Sequence, residues 1–210
     1  MKQTMKHSIL IYSGSAGCGK GTVLKRAREI CPALRLSVSM TTRAPREGEQ
    51  NGREYYFVTK EEFLATLAED GFLEHTEYCG NFYGTPKKQF FQMIEDGFVP
   101  VLEIETDGAE QVMKKLPEHL SVFLTPPDYA TLEARLRGRG TETEDSIQRR
   151  LGAAKEELFR SELYQNVVIN FDNRIEDAAR AVVELVETGE TQRDVLVRDR
   201  AAFLKGFQNQ

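Results

Sequence analysis

The stretch Gly14-Ser15-Ala16-Gly17-Cys18-Gly19-Lys20-Gly21-Thr22 sets glycines beside a lysine and a hydroxyl residue. Such glycines let backbone N–H groups converge on one anion at little steric cost. Lys20 adds a mobile full charge suited to the outer phosphates of a nucleotide. The pattern departs from G-x-x-x-x-G-K-[ST] in one respect: Gly21 holds the hydroxyl position and Thr22 follows it. The hydroxyl is displaced by one residue, toward a phosphate rather than directly toward Mg²⁺. A second candidate is the pair Arg43 and Arg46 around Pro45. Two guanidinium groups on a proline-stiffened turn form a fork for a phosphate, because arginine binds it bidentately and keeps its proton. The alternative is a pair of solvated surface arginines. Further basic residues gather from Arg135 to Arg150.

These groups need elements to hold them. Ile9-Leu10-Ile11-Tyr12-Ser13 is an apolar run of the kind buried on both faces of a parallel sheet, and Thr22 to Ala27 is a good helix-forming segment. Strand, glycine-rich turn and helix is the context a phosphate-binding loop requires, with the helix N-terminus adding partial positive charge. An ordinary strand-to-helix turn in an α/β protein is the competing reading, and the flanking elements favour nucleotide binding.

The chain of 210 residues can bury a full core, as one domain with insertions or two small lobes. Its formal net charge of -5 gives no global footprint for nucleic acid, and the local basic clusters suit a small anionic ligand. No segment approaches a membrane span, and the first residues lack a signal-like apolar region. Three cysteines without metal-ligand spacing suggest a reduced, cytoplasmic protein.

Along the chain, a second strand is expected over Leu34–Ser39, followed by a long polar connection to Arg53. Tyr55–Val58 reads as a strand, and Thr59-Lys60-Glu61-Glu62 as a capping box opening a helix that Gly71 ends. Strands are expected over Leu73–Tyr78 and Asn81–Tyr83, then Thr85 as N-cap with Pro86 at the first helical position. Strand–helix alternation then resumes to Val186, which implies a parallel sheet with helices on both faces. The region from about Met40 to Tyr83 reads as a small β-rich insertion. The tail from Thr191 carries Leu196, Phe203, Leu204 and Phe207 on one side of an expected helix. Packing on its own core is the favoured role for that face, with a subunit contact and a homo-oligomer as the alternative.

Several motifs now combine. Ser37-Val-Ser-Met-Thr-Thr-Arg-Ala-Pro-Arg46, Gly48-Glu-Gln-Asn-Gly52, Tyr55-Tyr-Phe57, Gly80-Asn-Phe-Tyr-Gly84 and Gly138-Arg-Gly-Thr-Glu142, together with the phosphate loop, resemble guanylate kinase from about Ile9 to Val186. The resemblance implies an α/β P-loop kinase with a parallel sheet flanked by helices, a β-rich GMP-binding insertion and a helical lid. The implied division is 1–39 and 85–190 as core, with the lid at about 138–150, 40–84 as insertion and 191–210 as tail. It further implies an enzyme making ADP and GDP from ATP and GMP, with Mg²⁺ carried by ATP and no protein metal ligand beyond a water near Thr22.

Carried over residue by residue, ATP falls on Gly14 to Thr22 and on Asn170. The GMP phosphate falls on Arg43, Arg46, Tyr55 and Tyr83, and the guanine on Ser39, Glu74, Thr85 and Glu105. The catalytic charges fall on Lys20, Arg43, Arg135, Arg139 and Arg150, which would stabilise the transferring phosphoryl group. Guanine presents N1–H and N2–H₂ donors that a carboxylate accepts, whereas adenine presents an N1 acceptor that it repels. The chain departs from the family at Ser15-Ala16, where proline and serine are common, at Asp107 in place of glutamine, and at Phe171 in place of an acidic residue.

Two other functions fit parts of this pattern. A scaffold domain of the same ancestry would bind peptides or phosphopeptides, but such domains degrade the ATP loop that is intact here. A P-loop kinase for another phosphorylated acceptor would not need the guanine-reading set. Cys18 also carries two readings: a thiol made acidic by the helix N-terminus and Lys20, or, as favoured, a small side chain turned away from the phosphates.

Overall fold

The computed structural model describes residues 5–138 and 144–208. Strand β1 (Leu10–Gly14) is buried at every position and runs into the phosphate loop. Helix α1 (Lys20–Ile30) starts behind Gly19, whose φ of 89° is the left-handed conformation that glycine adopts freely. Then come β2 (Leu34–Leu36), β3 (Met40–Thr41), β4 (Tyr56–Phe57), α2 (Lys60–Ala68), β5 (Phe72–Tyr78) and β6 (Asn81–Pro86). The second half holds α3 (Lys87–Glu95), β7 (Val99–Glu103), α4 (Thr106–Lys115), β8 (Leu120–Thr125), α5 (Tyr129–Arg137) and α6 (Glu144–Phe159). A 3₁₀ turn over Arg160–Leu163, β9 (Asn166–Ile169), α7 (Ile175–Thr188) and α8 (Arg200–Gln208) complete the order.

The main sheet is parallel, in the order β2-β7-β1-β8-β9, with β1 at its centre. One face packs on α1 and α7 through Val23, Leu24, Ala27, Ala178, Val182 and Leu185. The other packs on α4, α5 and α6 through Ala109, Val112, Leu132, Leu136, Leu151 and Leu158. Alternate residues of β1 serve the two faces, Leu10 and Tyr12 on one and Ile11 on the other. This burial on both faces explains why the strand is apolar throughout.

A second sheet has the order β4-β3-β6-β5, with an antiparallel β5–β6 hairpin turning at Cys79 and Gly80. Helix α2 covers it: Phe63 stacks on Phe72 at 4.4 Å and on Phe82 at 5.5 Å. The capping box is formed, with Thr59 N donating to Glu62 Oε2 and Glu62 N donating to Thr59 Oγ1.

Two expectations change. The strand expected over Leu34–Ser39 ends at Leu36, because the chain leaves the main sheet there and joins the second sheet at Met40. Thr85 is no helix cap: it lies in β6, Pro86 takes the N-cap position, and the Thr85 hydroxyl is spent on Glu74. The tail packs on its own chain. Leu204 and Phe207 of α8 join the core beside α6, and Ile169 N and Val197 N bond to Val195 O and Val167 O. The tail thereby occupies the open edge of β9.

Candidate active site

The phosphate loop opens into a cavity of about 520 Å³ lined by Ser15, Ala16, Gly17, Gly19, Lys20, Gly21, Thr22, Glu103, Glu105, Arg150 and Glu157. Lys20 Nζ lies on the loop carbonyls, 2.5 Å from Gly14 O and 3.4 Å from Ser15 O. The ammonium is thus inside the loop, on a stem long enough to follow a phosphate. Ser15 Oγ is buried without a hydrogen-bond partner among the described residues. Gly17 has φ 79°, a conformation strained for any residue with a side chain, and a Cβ there would press on Leu136 at 3.1 Å.

A smaller adjoining cavity of about 170 Å³ is lined by Gly17, Gly19, Thr22, Arg135, Asn170, Phe171, Asp172, Asn173 and Ile175. Asn170 Nδ2 donates to Cys18 O at 2.9 Å, while its buried Oδ1 has no partner among the described residues. Arg135 donates to Asn170 O at 2.8 Å and to Asp172 Oδ1 at 2.6 Å, so it borders this cavity rather than the one holding Lys20.

Across the site, a cavity of about 390 Å³ is lined by Ser39, Arg43, Arg46, Glu49, Tyr55, Glu74, Thr76, Tyr78, Tyr83, Glu103, Ile104, Glu105, Asp107 and Gly108. Arg43 is held by Glu49 through Nη1 and Nη2, both at 3.0 Å, and Arg46 N donates to the same carboxylate at 2.7 Å. These bonds hold the Glu49 carboxyl below the usual carboxylate range, the Arg43 guanidinium being the largest cause. The rings of Tyr55 and Tyr83 meet edge-on at 5.9 Å, and the Arg43 guanidinium lies 5.4 Å from the Tyr55 ring centre. Deeper in, Thr85 Oγ1 donates to Glu74 Oε1 at 2.6 Å and lies 3.3 Å from Ser39 Oγ. Burial pushes the Glu74 carboxyl up, partly offset by the Thr85 bonds.

Glu103 and Glu105, at the end of β7 and the start of α4, line both large cavities. Burial raises the Glu103 carboxyl, with Lys20 acting in the opposite direction. The two cavities therefore face each other across one acidic wall. One offers a glycine loop with an ammonium, the other two arginines, three tyrosines and a buried carboxylate.

A profile of the guanylate kinase family matches residues 6–189. The chain belongs to the guanylate kinase family. It is 46% identical to a guanylate kinase of Prochlorococcus marinus over 167 residues, 80% of this chain and 91% of that one. It is 48% identical to a guanylate kinase of Synechococcus sp. over 162 residues, 77% of this chain and 85% of that one. The crystal structure of guanylate kinase from Anaplasma phagocytophilum superposes with a TM-score of 0.64 at 29% identity, covering 95% of this chain and 94% of that one.

Of the residues expected to bind GMP, Ser39, Arg43, Arg46, Tyr55, Glu74, Tyr83 and Glu105 line one cavity, while Thr85 lies behind Glu74 and touches it from below. Of the residues expected to bind ATP, Gly14 and Cys18 line neither of the two cavities beside the phosphate loop. Gly14 is a sheet residue where a Cβ would fall 2.4 Å from Leu124 O. Cys18 points into the core, and burial lifts its thiol to about 11, overriding Lys20 and the loop amides. Its burial in the core supports the turned-away reading over the acidic-thiol one. Arg139 lies outside the described residues.

Sequence reasoning missed Thr76 and Tyr78, although their alternation with Glu74 along β5 puts all three on one face. It missed Glu49 and Glu157 as well, and no local pattern marks either one as a partner of a site residue.

Proposed function

We propose that the chain transfers the γ-phosphoryl group of ATP to GMP, giving ADP and GDP. The observation that carries this reading is the pair of cavities, one on the glycine loop and one lined by Arg43 and Arg46, that share the wall Glu103–Glu105. The loop Gly14 to Thr22 cradles the ATP phosphates with its amides, and the buried, unpartnered Asn170 Oδ1 offers an acceptor to the adenine amino group. Arg43, Arg46, Tyr55 and Tyr83 hold the GMP phosphate. Glu74, with Ser39 and Glu105, accepts from the guanine N–H groups and repels adenine, and Thr85 acts there by holding Glu74 from behind.

Phosphoryl transfer gives the protein little covalent chemistry, so alignment and charge do the catalysis. Lys20 and Arg150 stabilise charge on the moving group from the donor side, and Arg43 from the acceptor side. Arg135 anchors the loop–Asn170 region, and Arg139 is assigned to the lid by resemblance alone. Thr22, Glu103 and Glu105 offer the hard oxygen donors that Mg²⁺ prefers around the phosphates, which fits an ion carried by ATP and held through water. Bound there, Mg²⁺ would neutralise phosphate charge.

The same reading divides the chain into a core of 1–39 and 85–190, a GMP-binding insertion of 40–84, a lid near 138–150 and a tail of 191–210. A cytoplasmic location belongs to it too, supported by the free cysteines Cys18, Cys31 and Cys79. Among the described residues no helix is long and apolar enough to cross a membrane.

A coupled assay of ADP release with GMP, AMP, CMP and UMP tests the proposal. Turnover with GMP alone supports it. No turnover with any of them, combined with tight binding of a phosphopeptide at Arg43 and Arg46, would replace it with the interaction-domain reading.

A further inference from the structure

We propose that Glu157 is a positioning residue whose carboxylate ties the phosphate loop to helix α6 and so sets Arg150 over the donor phosphates. Ala16 N donates to Glu157 Oε2 at 3.0 Å, a bond between residues 141 apart in sequence. Ala16 sits in the middle of the loop, before the helix begins, so its amide has no partner within α1. Glu157 and Arg150 both line the cavity that Lys20 enters.

The geometry of α6 connects the two. The helix is held to the core by Ile147, Leu151, Ala154 and Leu158, a stripe of apolar contacts. Apolar contacts are non-directional and leave a helix some freedom to rotate and slide. Arg150 and Glu157 stand seven residues apart on one flank of that stripe, each three residues after a buried position. A directional hydrogen bond at Glu157 therefore fixes the rotation that aims Arg150, two turns away. Burial raises the Glu157 carboxyl and Glu105 acts the same way, while the Ala16 amide, Lys20 and Arg160 favour its charged form. Glu157 itself does not line the cavity that holds Arg43 and Arg46.

The inference rests on the proposed roles of the donor site and of Arg150. Glu157→Ala should lower kcat by about 10- to 100-fold with KM for GMP within about threefold, since small misplacements of aligned groups cost that much. Glu157→Gln keeps an acceptor for Ala16 N and should retain kcat within about threefold of the wild type. Glu157→Asp keeps the charge but is one methylene short, and should resemble the alanine variant. This set separates reach from charge even where one variant folds poorly.

The decisive measurement is a double-mutant cycle with Arg150→Ala. If Glu157 acts through Arg150, Arg150→Ala costs about as little as twofold in the Glu157→Ala background and far more in the wild type. Multiplicative costs would overturn the inference. Calorimetry with MgADP gives a readout that needs no turnover: Glu157→Ala should bind ADP about three- to tenfold more weakly, because the loop amide loses its anchor. Tighter ADP binding would overturn the inference and make Glu157 an internal anion that the nucleotide evicts. Wild-type protein that binds ADP but ignores GMP would defeat the proposed function while leaving this binding result to judge Glu157.

Discussion

The Thr85 hydroxyl donates to Glu74 Oε1 at 2.6 Å, and Glu74 Oε2 lies so close to Gly108 that a Cβ there would sit 3.1 Å away. One oxygen of the carboxylate is thus pinned from within the second sheet, and the other is wedged against the first turn of α4. Glu74 holds its place through rigid elements on both sides. We read Glu74, a buried carboxylate in the cavity that Arg43 and Arg46 line, as the group that accepts from donors on a base.

Glu74→Gln should therefore weaken GMP binding by about 10- to 100-fold and narrow the preference over AMP, the cost of losing a charged acceptor for two donors. Competition binding of the two nucleotides measures both effects, and an unchanged preference would leave Glu74 a purely structural residue. The same variant should be more heat-stable than the wild type at neutral pH. Burial raises the Glu74 carboxyl, so its contribution to folding is fully present below the ordinary glutamate pKa and is lost as pH rises through the raised value. Melting curves should show the advantage of Glu74→Gln closing as pH falls toward about 4.

Lys20→Met should lower kcat by about three orders of magnitude or more while GMP affinity stays within about threefold. Among the described residues Lys20 Nζ bonds to the loop carbonyls of Gly14 and Ser15, and the cavity lined by Arg43 and Arg46 does not include it. Steady-state rates together with GMP titration separate the two quantities. Near-normal turnover would remove Lys20 from the chemistry.

Much of this site was legible along the chain because its signals are local. The glycines and Lys20 sit in one run between a strand and a helix. The capping box at Thr59 and Glu62 is written within four residues, and it forms as read. What escaped is long-range or directional. Glu157 meets Ala16 from 141 residues away, and Glu49 meets Arg43 only because the loop folds back on itself. Threonine before proline reads as a helix cap, yet Thr85 faces Glu74 because the strand continues through it. Residue type at position 18 says thiol, but it does not say that the side chain turns into the core, where desolvation outweighs the nearby ammonium.

Timed iodoacetamide labelling should accordingly modify Cys79 first, since it is exposed at the hairpin turn, with Cys18 and Cys31 protected by burial. Burial pushes the Cys31 thiol up and lifts that of Cys18 to about 11, so both also lack thiolate near neutral pH. Peptide mapping decides the order. Fast labelling of Cys18 that ATP suppresses would show that the thiol faces the phosphates.

Phe207→Ala should destabilise the protein by about 3–5 kcal/mol, the usual cost of emptying a buried aromatic site. Phe207 is 1% exposed and packs with Leu204 into the core beside α6. Urea unfolding measures the loss. A change under about 1 kcal/mol would mean that α8 contributes little to the core and is available for a subunit contact.

On the proposed function, the two cavities meeting at Glu103 and Glu105 form one reaction site for ATP and GMP. Adenosine and guanosine joined through a bridging polyphosphate, long enough to span both cavities, test it directly in steady-state inhibition. Inhibition should be competitive against ATP and against GMP, with affinity well above that of either nucleotide alone. Competition with only one substrate, at an affinity no better than that nucleotide's own, would contradict it.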